Sequence, residues 1–114
     1  MKKIILIIPL VFIFLHFMPS GDGPGIWTQT MSGTGPIWQK CIAISPSNQQ
    51  IMYAGSFTTG VWKSTNGGSS WVQVNTGLLA LNIQCVEVSA SDPNYVYTGT
   101  GTGGSAAGVY VTTN

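Results

Sequence analysis

Two regimes of hydrophobic patterning divide the chain. From Ile4 to Leu15 the residues are apolar without a break, and Phe17 and Met18 extend the run past His16. Beyond Trp27 the apolar residues come in short runs separated by Gly, Ser, Thr and Asn. Several of these runs alternate. In "CIAIS" alternation sets Ile42 and Ile44 on one face, and in "CVEVS" it does the same for Val86 and Val88. A period of two over short runs bounded by turn formers predicts strands. No segment after Trp27 shows a period of 3.6, so no helix longer than one turn is expected there.

The leading run reads differently. Lys2 and Lys3 precede it, and Pro19, Ser20 and Gly21 follow it. A basic start, an apolar middle and a small-residue exit make a secretory signal peptide, helical from Lys3 to about Phe17. Residues 1–22 are assigned to it, with cleavage between Ser20 and Gly25. An uncleaved N-terminal anchor is the alternative, although the run is shorter than the roughly 20 residues that span a bilayer. The remainder, 23–114, is then a secreted segment whose only tie to a membrane is the leader.

That segment repeats itself. Trp27 and Trp71 stand 44 positions apart, and the same offset relates Gln29 to Gln73, Cys41 to Cys85, Tyr53 to Tyr97 and Gly55 to Gly99. "GVWKSTN" then lies over "GVYVTTN" after a slip of four, absorbed in the Gly/Ser/Ala-rich stretch 103–107. Each unit holds four strand-like runs: the "CIAIS" type, the "IMYAG" type, the "GVWKST" type and the "WVQV" type, with "WTQT" at 27–30 as an earlier copy of the last. Four short strands in a unit of about 40–45 residues describe a β-propeller blade. The expected fold class is all-β: two four-stranded antiparallel blades of an incomplete propeller behind a helical leader. The pieces are a fourth-type strand at 27–30, a full blade at 39–74 and an incomplete blade at 83–114. Propellers close with about four to eight blades, so the sequence reads as the N-terminal piece of a longer protein. With too few blades, Val86, Val88 and Tyr97 are expected to stay partly in water, and the segment alone to aggregate or oligomerise.

Between the third and fourth runs stands "STNGGSSW". Gly67, Gly68 and Asn66 tolerate positive φ, Ser64 and Asn66 can accept from nearby backbone N–H groups, and Trp71 can fold beneath the turn. Ser64-x-Asn66-x-Gly68-x-Ser70-Trp71 resembles the Asp-box, or bacterial neuraminidase repeat, S-x-D-x-G-x-T-W, with Asn66 in place of Asp and Ser70 in place of Thr. The resemblance extends from about Trp27 onward, and Thr112-Thr113-Asn114 looks like the start of a second box. Such boxes occur in sialidases, xyloglucan-cleaving glycoside hydrolases, sortilin-type receptor domains and photosystem assembly factors. What the resemblance implies for Ser64, Asn66, Gly68, Ser70 and Trp71 is a structural turn away from any active centre.

Charge narrows the function classes. Charged residues make up 6% of the chain, against about 25% in an average domain, and no basic patch exists to hold nucleic acid. The three acids are Asp22 at the leader junction, Asp92 in a turn-like "SDPN" and Glu87 on a first-type strand. Glycoside hydrolysis needs two carboxyl groups facing one sugar, and this inventory offers no catalytic pair. His16 falls within the leader, so a Ser-His-Asp triad, a Cys-His pair and a histidine metal site are excluded, and no metal or other cofactor is expected. Cys41 and Cys85 occupy matching positions; the favoured reading is two buried free thiols, with a disulfide as the alternative. Trp38, Trp62 and Glu87 are the candidate ligand contacts, and Tyr95 and Tyr110 are further aromatic candidates; packing between blades is the competing role for each aromatic. Two functions stay open: a secreted non-catalytic module that binds glycans or proteins, and the first blades of a secreted glycoside hydrolase, sialidase- or xyloglucanase-like, with its carboxylates downstream.

Overall fold

A computed structural model of the chain describes residues 27–31, 38–101 and 104–113. The expected leader and Asp22 lie outside the described residues. Seven strands follow in chain order: β1 Gln39–Ile44, β2 Met52–Ser56, β3 Gly60–Ser64, β4 Val72–Gln73, β5 Ile83–Val88, β6 Tyr95–Thr100 and β7 Gly108–Thr113. They form two antiparallel sheets, β1-β2-β3-β4 and β5-β6-β7, each with its strands in sequence order. There is no helix among the described residues.

Two details differ from the sequence reading. The "WVQV" run contributes only Val72 and Gln73 to the ladder, opposite Lys63 and Trp62, and Val74 adds one further bond to β3, its N–H donating to Val61 O at 2.8 Å. Residues 27–30 form no strand and belong to neither sheet; so short a run becomes a strand only when an edge supplies its ladder. Among the described residues seven strands therefore stand where eight were expected.

The turns after β1 and β5 are built alike. Ser45 N donates to Ile51 O at 3.0 Å, and Ser89 N donates to Tyr95 O at 2.8 Å. Inside them Asn48 Oδ1 accepts from Gln50 N at 3.1 Å, and its counterpart Asp92 Oδ1 accepts from Asn94 N at 2.9 Å. Asp92 thus closes an Asx-type turn. Both first strands also carry an irregularity at the same place, between Gln39 and Cys41 and between Ile83 and Cys85.

The sheets stack, with β1 and β2 lying against β5. The inner face of the first sheet presents Cys41, Ala43, Tyr53, Gly55 and Val61; the inner face of the second presents Val86, Val88, Val96 and Thr98. Ala43, Tyr53, Val61, Ile83, Val86, Val88 and Val96 make one continuous core. Val86 and Val88 are accordingly dry, at 5% and 4% exposure, which corrects the expectation that they stay partly in water. The neighbouring sheet covers them. Tyr97, on the outer face, is 47% exposed. Ile83 is wholly buried and wedged over Gly55, where a Cβ would collide with Ile83 Cγ2 and come within 2.5 Å of Cys41 Sγ. Only glycine lets the two sheets approach so closely there.

Polar staples complete the contact. Tyr53 Oη donates to Pro93 O at 3.2 Å, Lys40 Nζ to Gln84 Oε1 at 2.9 Å, and Gly60 N to Leu81 O at 3.0 Å. Among the described residues no buried side-chain nitrogen or oxygen lacks a partner.

Candidate functional site: a closed hairpin and an inter-sheet cleft

The hairpin from β3 to β4 is closed by a dense set of its own hydrogen bonds. Gly67 and Gly68 adopt φ of 65° and 89°, the left-handed region. Ser64 is buried at the end of β3, and its Oγ accepts from Gly68 N at 2.9 Å and from Asn66 N at 3.3 Å while donating to Asn66 Oδ1 at 3.0 Å. One donation and two acceptances exhaust a hydroxyl. Asn66 reaches across the loop, its Oδ1 accepting from Ser70 N at 2.9 Å and its Nδ2 donating to Ser70 Oγ at 2.8 Å. Trp71 is half-buried, and its indole N–H donates to Gly68 O at 3.0 Å. Gly67 N donates to Gln50 O at 3.0 Å, tying the hairpin to the turn after β1. Ser64, Asn66, Gly68, Ser70 and Trp71 therefore spend their polar atoms on one another. The geometry makes a rigid turn and holds no carboxylate or imidazole for chemistry.

The three candidate ligand contacts stand in three different places. Trp38, just before β1, stacks on Phe57 with ring centroids 6.0 Å apart and planes 23° apart, and Lys40 Nζ sits 4.4 Å from the same Phe57 ring. Trp62 is on the outer face of the first sheet, opposite Ala54, with its indole N–H on Thr59 Oγ1 at 2.9 Å. Glu87 is exposed on the outer face of the second sheet, opposite Tyr97. These side chains do not converge. Tyr95 is exposed as well, at the start of β6.

What converges instead is a cleft of about 550 Å³ between the sheets. β2 and β3 supply Tyr53 and Lys63, β4 supplies Gln73, and β6 and β7 supply Thr98 and Tyr110. Tyr110 Oη donates to Ala106 O at 2.7 Å, which fixes the ring against the loop before β7. Lys63 Nζ lies 5.4 Å from the Tyr53 ring centroid, a cation over an aromatic face. Tyr53 and Thr98 are buried in its floor, which leaves the Tyr110 ring, the Gln73 amide and the Lys63 ammonium to meet a ligand, a set that suits an uncharged polar one. Tyr110 was legible in the sequence as an aromatic candidate. Tyr53, Lys63 and Gln73 were not, because their strands belong to one sheet and Tyr110's to the other.

One missed residue shapes the approach to this cleft. Asn75, just after β4, accepts from Val61 N at 2.8 Å through Oδ1 and donates to Thr59 O at 2.8 Å through Nδ2, pinning the linker to β3. Asn in a turn-rich stretch is the only signal it gives in sequence.

Both cysteines are free thiols. Cys41 is half-buried, and that burial pushes its thiol above the ordinary value. Cys85 is exposed on the outer face of the second sheet, which corrects the expectation of two buried thiols; among the described residues no third sheet covers it. Nor, among them, does any group of three His, Cys, Asp or Glu side chains come together to hold a metal ion. No protein-family model matches the chain, and no curated protein is significantly similar to it.

Proposed function

We propose that the two sheets are consecutive blades of an Asp-box β-propeller, and that the chain is a secreted, non-catalytic module binding an uncharged glycan or a protein loop. The hairpin at 64–71 supports the architectural half. Its bonding uses each residue of the Ser-x-Asn-x-Gly-x-Ser-Trp pattern for a turn, as the resemblance implies. Lys2, Lys3 and the apolar run to Leu15 support export.

The single observation that carries the binding half is the inter-sheet cleft. Sugars offer apolar C–H faces to aromatic rings and hydroxyls to polar side chains, and Tyr110, Gln73 and Lys63 offer both complements around one hollow whose floor is Tyr53 and Thr98. Hydrolysis is disfavoured on chemical grounds. Cleavage needs two carboxyls facing one sugar, and among the described residues Glu87 stands on an outer sheet face while Asp92 is engaged in its turn.

Nuclear magnetic resonance titration of the chain with neutral oligosaccharides tests this. Shifts are expected at Tyr110, Gln73 and Lys63 and should weaken at least fivefold in Tyr110→Ala. Shifts centred on Trp38 and Phe57 instead, or none at millimolar sugar, would reject the cleft as a glycan site.

A further inference from the structure

We infer that copies of this chain stack head to tail, the outer face of the second sheet of one copy covering the outer face of the first sheet of the next. The repeat itself dictates the contact. Within the chain, the face holding Cys41, Ala43, Tyr53, Gly55 and Val61 packs on the face holding Val86, Val88 and Val96. The counterparts of the first set are Cys85, Glu87, Tyr97, Gly99 and Val109; those of the second are Ile42, Ile44 and Met52. Both counterpart sets lie on the outside of the stack. Ile42 is 61% exposed and Ile44 47%, while Tyr97, Val109 and Val111 stand open on the other side. The molecule thus displays the two halves of an interface it already makes once, on opposite outer surfaces. Such a contact is heterologous, so it propagates from copy to copy and does not pair two identical faces.

The same displacement supplies more than apolar cover. Pro93 accepts from Tyr53 Oη at 3.2 Å within the chain. The counterpart of Tyr53 is Tyr97 and that of Pro93 is Gln49, whose carbonyl would stand in the same place on the next copy. The displacement also carries residues 27–30 of that copy, the counterpart of 71–74, alongside β7, the counterpart of β3. β7 is a six-residue edge strand bearing Val109 and Val111, the kind of edge that accepts another strand.

Two substitutions between the repeats make this contact weaker than its template. Glu87 replaces Ala43, placing a carboxylate where the template has a buried methyl group. Gln39 replaces Ile83, the side chain wedged over Gly55. Converting Glu87→Ala together with Gln39→Ile rebuilds the template and is expected to tighten association at least tenfold.

Sedimentation velocity on the full chain decides the inference. The natural chain should sediment as a series of species that grows with concentration. Ile42→Asp with Ile44→Asp, both at exposed positions, removes one face; Tyr97→Asp with Val109→Asp removes the other. Each variant alone should be monomeric, and an equimolar mixture of the two should give a 1:1 dimer and nothing larger, because each brings the face the other lacks. That rescue also shows that both variants are folded. A natural chain monomeric at every concentration, a variant that still self-associates, a mixture that stays monomeric, or a Glu87→Ala, Gln39→Ile chain no tighter than the natural one would each overturn it.

Discussion

Ile42 and Val86 hold the same place in the same strand of two successive repeats, yet Ile42 is 61% exposed and Val86 is 5% exposed. The local sequences are near copies, and the strands, turns and registers they form are near copies too. Burial is not copied. The second sheet has a whole sheet against the face bearing Val86, whereas among the described residues no sheet covers the face bearing Ile42, over which only Thr30, Met31 and Trp71 lie beside Ala54. Tyr53 and Tyr97 show the reverse, at 2% and 47%, because the first sheet is covered on that side and the second is open. A repeat therefore encodes two faces, and each position's energetic weight depends on which repeat it occupies.

Matched substitutions test this contrast, measured by chemical denaturation at concentrations where the chain is monomeric. The largest difference is expected for Ile83→Ala against Gln39→Ala. Ile83 is fully buried over Gly55, so its truncation should cost about 2–5 kcal/mol, whereas Gln39, exposed, should cost under about 0.5 kcal/mol. Equal losses would mean that the sheets do not stack as described. Next comes Trp71→Ala against Trp27→Ala. Half-buried Trp71, bonded to Gly68 O, should lose about 3 kcal/mol. Trp27, 99% exposed, should lose almost nothing. A Trp71 loss of a few tenths would show that its ring does not support the hairpin.

A finer comparison is Tyr53→Phe against Tyr97→Phe. Removing the Tyr53 hydroxyl abandons the hydrogen bond to Pro93 O and should cost about 1 kcal/mol; Tyr97→Phe should be silent. The smallest contrast is kinetic and leaves stability alone. Burial holds the Cys41 thiol above its ordinary pKa and limits access to it, so less of it is thiolate at a mildly alkaline pH. Exposed Cys85 should react with a thiol reagent at least tenfold faster, giving two resolved phases. A single phase would mean that both thiols are equally open.

Much of the fold was legible in the chain. Alternation in "CIAIS" and "CVEVS" placed two strands, the repeat offset placed their partners, and "STNGGSSW" announced a hairpin whose bonds run among the residues that suggested it. Less of the site was legible. Trp38, Trp62 and Glu87 are candidates by residue type alone, aromatic or charged, and they stand in three different places. The cleft assembles Tyr53, Lys63 and Gln73 from one sheet with Thr98 and Tyr110 from the other, a pairing that no spacing along the chain expresses.

The division follows from the range of the forces. Strand, turn and register depend on neighbours within a few residues: backbone hydrogen-bond geometry, the φ freedom of Gly67 and Gly68, and the alternation of side chains across a pleat. By itself, therefore, the sequence determined two like sheets and the closed loop that ends β3. Which face of each sheet is dry, where the cleft lies, whether residues 27–30 find an edge and which thiol is exposed depend on the sheet stacked alongside. Apolar burial is set by whatever surface arrives to exclude water, so near-identical patterns became core in one repeat and surface in the other, and only the tertiary structure decided between them.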